Sequence, residues 1–230
     1  EVPSPSLLPS HPTKSKKLSS GLRSLMAAQE ASSSTGRSAG FLSQCLTVPW
    51  TRLKVWGPAL VLFAVLAAAA VTPRWPVWFW YHPASMLLGY VALMGNAVLV
   101  KKIGGLRATK IHGYLMGFGS LAAGFGWYVI HSNKEAMGKP HITTWHGLSG
   151  LLCLLTTFAM SVAGTGLLDP HIGIMKSSKL VRFVHKNAGR VLLGAAFASS
   201  ALGWATVQKQ AALPIALFAL PLMVLMKVLI

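Results

Sequence analysis

Acidic residues are almost missing from this chain: Glu1, Glu30, Glu135 and Asp169 stand against 21 lysines and arginines. None of the four lies in an apolar run. That argues against a proton relay or an ion-coupled transporter, which need ionisable groups at membrane depth. Cysteine is as scarce. Cys45 sits in a polar N-terminal segment and Cys153 inside an apolar run, so no disulfide framework is implied. Charge of either sign makes up only 11% of the residues, while 53% are hydrophobic.

Apolar runs cover approximately 56–72, 80–100, 111–131, 146–168, 184–206 and 211–230. Each approaches the ~20 residues that carry a helix across a bilayer. The expected fold is all-α: a polytopic membrane protein of six transmembrane helices, forming one domain over 55–230. Residues 1–54 are a basic, Ser/Pro-rich extension in which no packed domain is expected. Its composition resembles an organellar targeting region or a processed tail, which suggests an organellar membrane such as the chloroplast thylakoid.

The excess of base has a direction. End A of the bundle holds the N-terminal segment and the loops after the second and fourth spans; end B holds the other three connections. End A collects Lys14, Lys16, Lys17, Arg23, Arg37, Arg52, Lys54, Lys101, Lys102, Arg107, Lys110, Lys176, Lys179 and Arg182, and end B only Arg74, Lys134, Lys139 and Lys209. By the positive-inside rule, end A and the N-terminus face the cytosol, stroma or matrix. Lipid headgroups, not nucleic acid, are the partner this distribution implies.

Four of eight histidines open successive spans: His82, His112, His146 and His185. Neighbouring spans run in opposite directions, so His82 and His146 share end B and His112 and His185 share end A. Imidazole is the usual axial ligand of haem iron, and a low-spin haem takes one on each face. Two such pairs predict two haem b groups in a four-helix core. Glycines near these histidines, Gly89, Gly113, Gly117, Gly147, Gly150 and Gly189, would leave room for a flat macrocycle. His131 closes the third span at end B, within reach of a substrate there, and His141 is expected in solvent. "RWPVWFWYHP", with Trp75, Trp78 and Trp80, reads as an interfacial aromatic belt.

With "YHPASM", "KIHGYLM", "HSNKEAMGKPHITTWHGLSGLL", "GTGLLDP" and "VHKNAGR", and histidine separations of 30, 34 and 39, residues 56–210 resemble the cytochrome b-561 family, in its shorter domain-containing branch. The resemblance implies a transmembrane oxidoreductase of the ascorbate-dependent or ferric reductase type. An inside donor such as ascorbate, or another small anion, would pass electrons to an outside acceptor, monodehydroascorbate or a ferric chelate. Lys101, Lys102, Lys110, Lys186 and Arg190 would bind the donor or haem propionates, and His131 with Asn133 would form the outer substrate site. Family members often form homodimers. The competing reading is an accessory or scaffold subunit of a larger photosynthetic or respiratory membrane complex, motivated by the long basic arm.

Overall fold

The computed structural model describes residues 48–71, 77–207 and 212–229. The basic residues expected at end A before Val48, together with Arg74, Trp75 and Lys209, lie outside the described residues. Those that are described form six helical rods, matching the six apolar runs. α1 is Pro49–Val71. α2 is a continuous rod of three pieces: α-helical Val77–Met86, π-helical Leu87–Met94 and α-helical Gly95–Ile103. α3 is Gly105–Ala136, α4 Trp145–Leu168, α5 Lys179–Val207 and α6 Ala212–Leu229. α1, α2 and α4 are each long and apolar enough to cross a membrane.

α1 begins earlier than its apolar run. Pro49 occupies the first helical position, where its missing N–H costs nothing and its fixed φ suits the helix. Arg52 and Lys54 therefore ride on the first turns of α1. Between α2 and α3 the chain turns through Gly104 and Gly105, whose φ angles of 85° and 83° favour glycine. The third connection ends at Thr144, which is extended and accepts the Gly147 N–H on its hydroxyl at 3.1 Å. This N-cap starts α4 one residue before His146, fixing that ring in the first turn.

The four middle helices pack α2 along α3, α3 against α4 and α4 along α5, with α1 on α2 and α6 on α5. Small residues allow the closest approach. A Cβ on Gly89 would stand 2.8 Å from the Gly119 carbonyl oxygen, and one on Gly119 would stand 2.8 Å from Met94 Cγ. Such close backbone approach is how helices associate where no hydrophobic effect drives them together. Inside the four-helix core lie Tyr90, Met94, Ala123, Cys153, Leu154 and Ala196; a second cluster, with Leu60, Val91, Leu99, Phe197 and Leu222, joins α1 and α6 to it. Outward faces carry large apolar side chains instead, among them Leu62, Leu66, Tyr114, Phe118, Leu121 and Val162. That surface is suited to hydrocarbon, not water.

Candidate functional site

The rings of His82 and His146 come together at end B, with centroids 6.1 Å apart and planes inclined at 72°. A metal ion bound about 2 Å from one nitrogen of each ring separates two imidazole centroids by roughly 6 Å, so this pair fits a shared iron. At end A, His112 and His185 lie within electrostatic reach of one another, and Lys101 lies within reach of both.

Three of the four rings are oriented by a backbone carbonyl. His82 Nδ1 lies 2.8 Å from the Gly126 oxygen, His112 Nδ1 2.9 Å from the Ala97 oxygen and His146 Nδ1 2.9 Å from the Ser199 oxygen. A carbonyl can only accept, so each Nδ1 carries the proton and each Nε2 keeps its lone pair for a metal. This is the tautomer and the aim that an axial ligand requires. Ser199 does more at His146: its hydroxyl takes a hydrogen bond from Ser149 at 3.0 Å and itself lies 3.4 Å from His146 Nδ1.

The accepting carbonyls are reciprocal. Gly126 lies fourteen residues after His112 on α3, and Ser199 fourteen after His185 on α5. Along an α-helix that separation is about 21 Å, which is the distance between the two histidine levels. Ala97 lies fifteen residues after His82. The additional residue falls in the only π-helical segment among the described residues, Leu87–Met94, since a π-turn absorbs one residue more than an α-turn. The Ala92 carbonyl, which takes the Gly95 N–H, also accepts a hydrogen bond from Asn96 Nδ2 at 2.7 Å.

Glycines make room, although not always those expected. A Cβ on Gly203 would stand 2.7 Å from His146 Cε1, and one on Gly164 would stand 3.2 Å from His185 Cε1. Each is eighteen residues beyond the histidine on its own helix, and each receives the ring from the other: "H-x17-G" twice, a spacing legible in the sequence but unread. Gly113 and Gly117 face open space, as a macrocycle needs. Gly89 instead serves the α2–α3 approach, and Gly147 sits over its Thr144 cap. A cavity of about 730 Å³ reaches His146 between Thr144, Trp145, Leu202, Ala205 and Thr206.

The basic residues expected at end A divide into three places. Lys102 of α2 feels the charges of Arg52 from α1 and of Arg190 and Lys186 from α5. Arg52 Nε is buried with no hydrogen-bond partner among the described residues. Four cations and an orphaned donor make a place for an anion, and Arg52 is the member that reading the sequence missed. Lys101 donates to Thr109 Oγ1 at 2.6 Å beside the His112 pair. Lys110 instead lies near Asp169, whose exposed carboxylate accepts the backbone N–H groups of His171 and Ile172. Those two bonds hold its pKa below the usual carboxylate value.

At end B, His131 stacks on His141 with centroids 4.3 Å apart and meets Trp127 at 5.0 Å with the planes inclined at 42°. His141 is partly exposed, and its Nε2 lies 2.6 Å from Glu135 Oε1. Asn133 follows His131 by two positions and so projects from a different side of α3. Trp78 and Trp80 bond to the Ser132 hydroxyl and the Ala68 carbonyl, tying α2 to α3 and α1.

Residues 81–210 match the model of the eukaryotic cytochrome b561 family. The chain belongs to that family. It is also similar to the transmembrane reductase CYB561D2 of Bos taurus, 30% identical over 144 residues, and to those of Mus musculus and Homo sapiens, each 29% identical over the same length. Each alignment covers 58% of this chain and 64% of the relative. Membership makes this an integral membrane protein and implies b-type haem, and the facing His82 and His146 rings, with Nε2 of each left free, fit that cofactor.

Proposed function

We propose that the chain passes single electrons across the membrane from end A to end B by way of two bis-histidine haems b. His112 and His185 would hold the one at end A, and His82 and His146 the one at end B. Bound haem supplies the one-electron ferric/ferrous couple. The observation that carries the reading is the set of Nδ1–H bonds to the Gly126, Ala97 and Ser199 carbonyls, which aim three of the four Nε2 atoms away from the backbone.

The protein's own residues do the rest. Between the two levels the interior is apolar, and its hydroxyls are spoken for: Tyr90 with Thr157 at 3.0 Å, Ser120 with Ser161 at 2.8 Å. Water and protons have no foothold there, so charge crosses as an electron. At end A, Arg52, Lys102, Lys186 and Arg190 attract an anionic donor, ascorbate in the leading case, or pair with propionates; Lys101 and Lys110 extend the positive field. At end B, His131 borders the surface where monodehydroascorbate or a ferric chelate would take the electron, while Asn133 lies on another side of α3. End A faces the cytosol, stroma or matrix in this reading, and ascorbate as donor and monodehydroascorbate as acceptor follow from the family resemblance.

The test is a reduced-minus-oxidised absorption spectrum of the purified chain with haem counted per polypeptide, alongside His82→Ala and His112→Ala. Two b haems in the parent, one in each variant, and partial reduction by ascorbate are expected. A parent with no haem would sink the reading and leave the scaffold subunit in its place.

A further inference from the structure

We propose that His131, Glu135 and His141 form a site for one divalent transition-metal ion of the zinc or copper type at end B. One ligand atom from each lies within 4.8 Å of the other two. Donors that share an ion at about 2 Å each stand no more than roughly 4 Å apart, so binding requires the stacked imidazoles to rotate apart until their in-plane lone pairs converge. Two imidazoles and one carboxylate suit zinc and copper; calcium and magnesium prefer oxygen alone. Three protein ligands leave a coordination position open to water or a small anion.

The backbone builds this cluster in advance. His131 and Glu135 are four apart on the last turns of α3 and so share one face. α3 then ends in a Schellman turn: Gly138, at φ 59°, donates its N–H to the Glu135 carbonyl at 3.0 Å, and the Lys139 N–H reaches the Lys134 carbonyl at 3.0 Å. Lys134 Nζ holds the Pro140 carbonyl at 3.0 Å. The reversal carries His141 back over His131, where the rings stack at 4.3 Å and 17°. Ile142, the next residue, has φ 55°, a costly conformation for a β-branched side chain. An exposed ion pair between His141 and Glu135 is worth too little to account for a second imidazole stacked on it and a strained neighbour. A shared ion would give both imidazoles and the carboxylate one common role.

The site shares His131 with the acceptor surface proposed above but does not rest on it, because ion binding is measured without electron transfer. The experiment uses the haem-loaded chain, purified without a polyhistidine tag, stripped with chelator and titrated with Cu²⁺ under electron paramagnetic resonance. One Cu²⁺ per chain with hyperfine structure from two nitrogens is expected, displaced by Zn²⁺. Glu135→Gln and His141→Asn should each weaken binding by more than the roughly 10–100-fold cost of losing an outer-shell partner. His171→Asn, in an exposed loop, should leave it unchanged. An unaltered haem spectrum shows that each variant is folded, and if His141→Asn loses haem, Glu135→Gln decides alone. Failure of the parent to retain stoichiometric Cu²⁺, or equal affinity in Glu135→Gln, would overturn the site.

Discussion

Gly203 and Gly164 show how a single hydrogen in place of a methyl group decides whether a ring can sit where it does. At Gly203 a Cβ would come within 2.7 Å of a His146 ring that the Ser199 carbonyl already holds, so the ring cannot swing aside without losing that bond. At Gly164 the approach is 3.2 Å, and His185 makes no comparable bond among the described residues. Overpacking of this kind costs about 1–3 kcal/mol. We expect Gly203→Ala to lower haem content toward one per chain, and Gly164→Ala to keep both haems with an altered low-spin resonance at end A. Haem quantification with electron paramagnetic resonance checks both; equal, unperturbed spectra would mean the rings do not bear on these glycines.

Among the elements, α2 and α3 differ by the π-helical segment Leu87–Met94. That segment turns a fourteen-residue separation into fifteen while His82 and Ala97 remain at the two histidine levels. Deleting Leu88, a half-exposed residue inside it, should convert the widened turn to α-helix and preserve both haems. Deleting Leu121, exposed on the regular α3, should rotate His112 by about 100° relative to Gly126 and remove one haem. Loss of a haem in the Leu88 deletion but not in the Leu121 deletion would refute this account of the register. The six rods were legible in the sequence because apolar runs of the right length need no tertiary information. The π-segment was not, because "LLGYVALM" has the composition of any apolar helix; the Gly89–Gly119 approach and the Asn96 bond to Ala92 come only from packing.

For the whole molecule the charge asymmetry sets a direction. With Cys45 and Cys153 replaced by serine, a cysteine in place of Lys139 should react with an impermeant maleimide from the side opposite to one in place of Lys176, and Lys176 should be the side facing the cytosol, stroma or matrix. Both labelling from one side would break the six-span topology; labelling from the reverse sides would invert the proposed direction of electron flow. The cations at Arg52, Lys102, Lys186 and Arg190 belong to this scale too, since three separate helices bring them together.

The sequence by itself determined the helical membrane fold, the family and the sorting of four histidines into two pairs, because span length and alternating direction suffice to say which helix ends share a face. Only the tertiary structure decided what surrounds each ring. Which carbonyl fixes a tautomer, which glycine yields space, and that His141 returns over His131 beside Glu135 all depend on contacts between residues tens of positions apart or on one reversed turn. Helical periodicity carries no information about such contacts, because it specifies a residue's own face and not what the neighbouring helix presents to it.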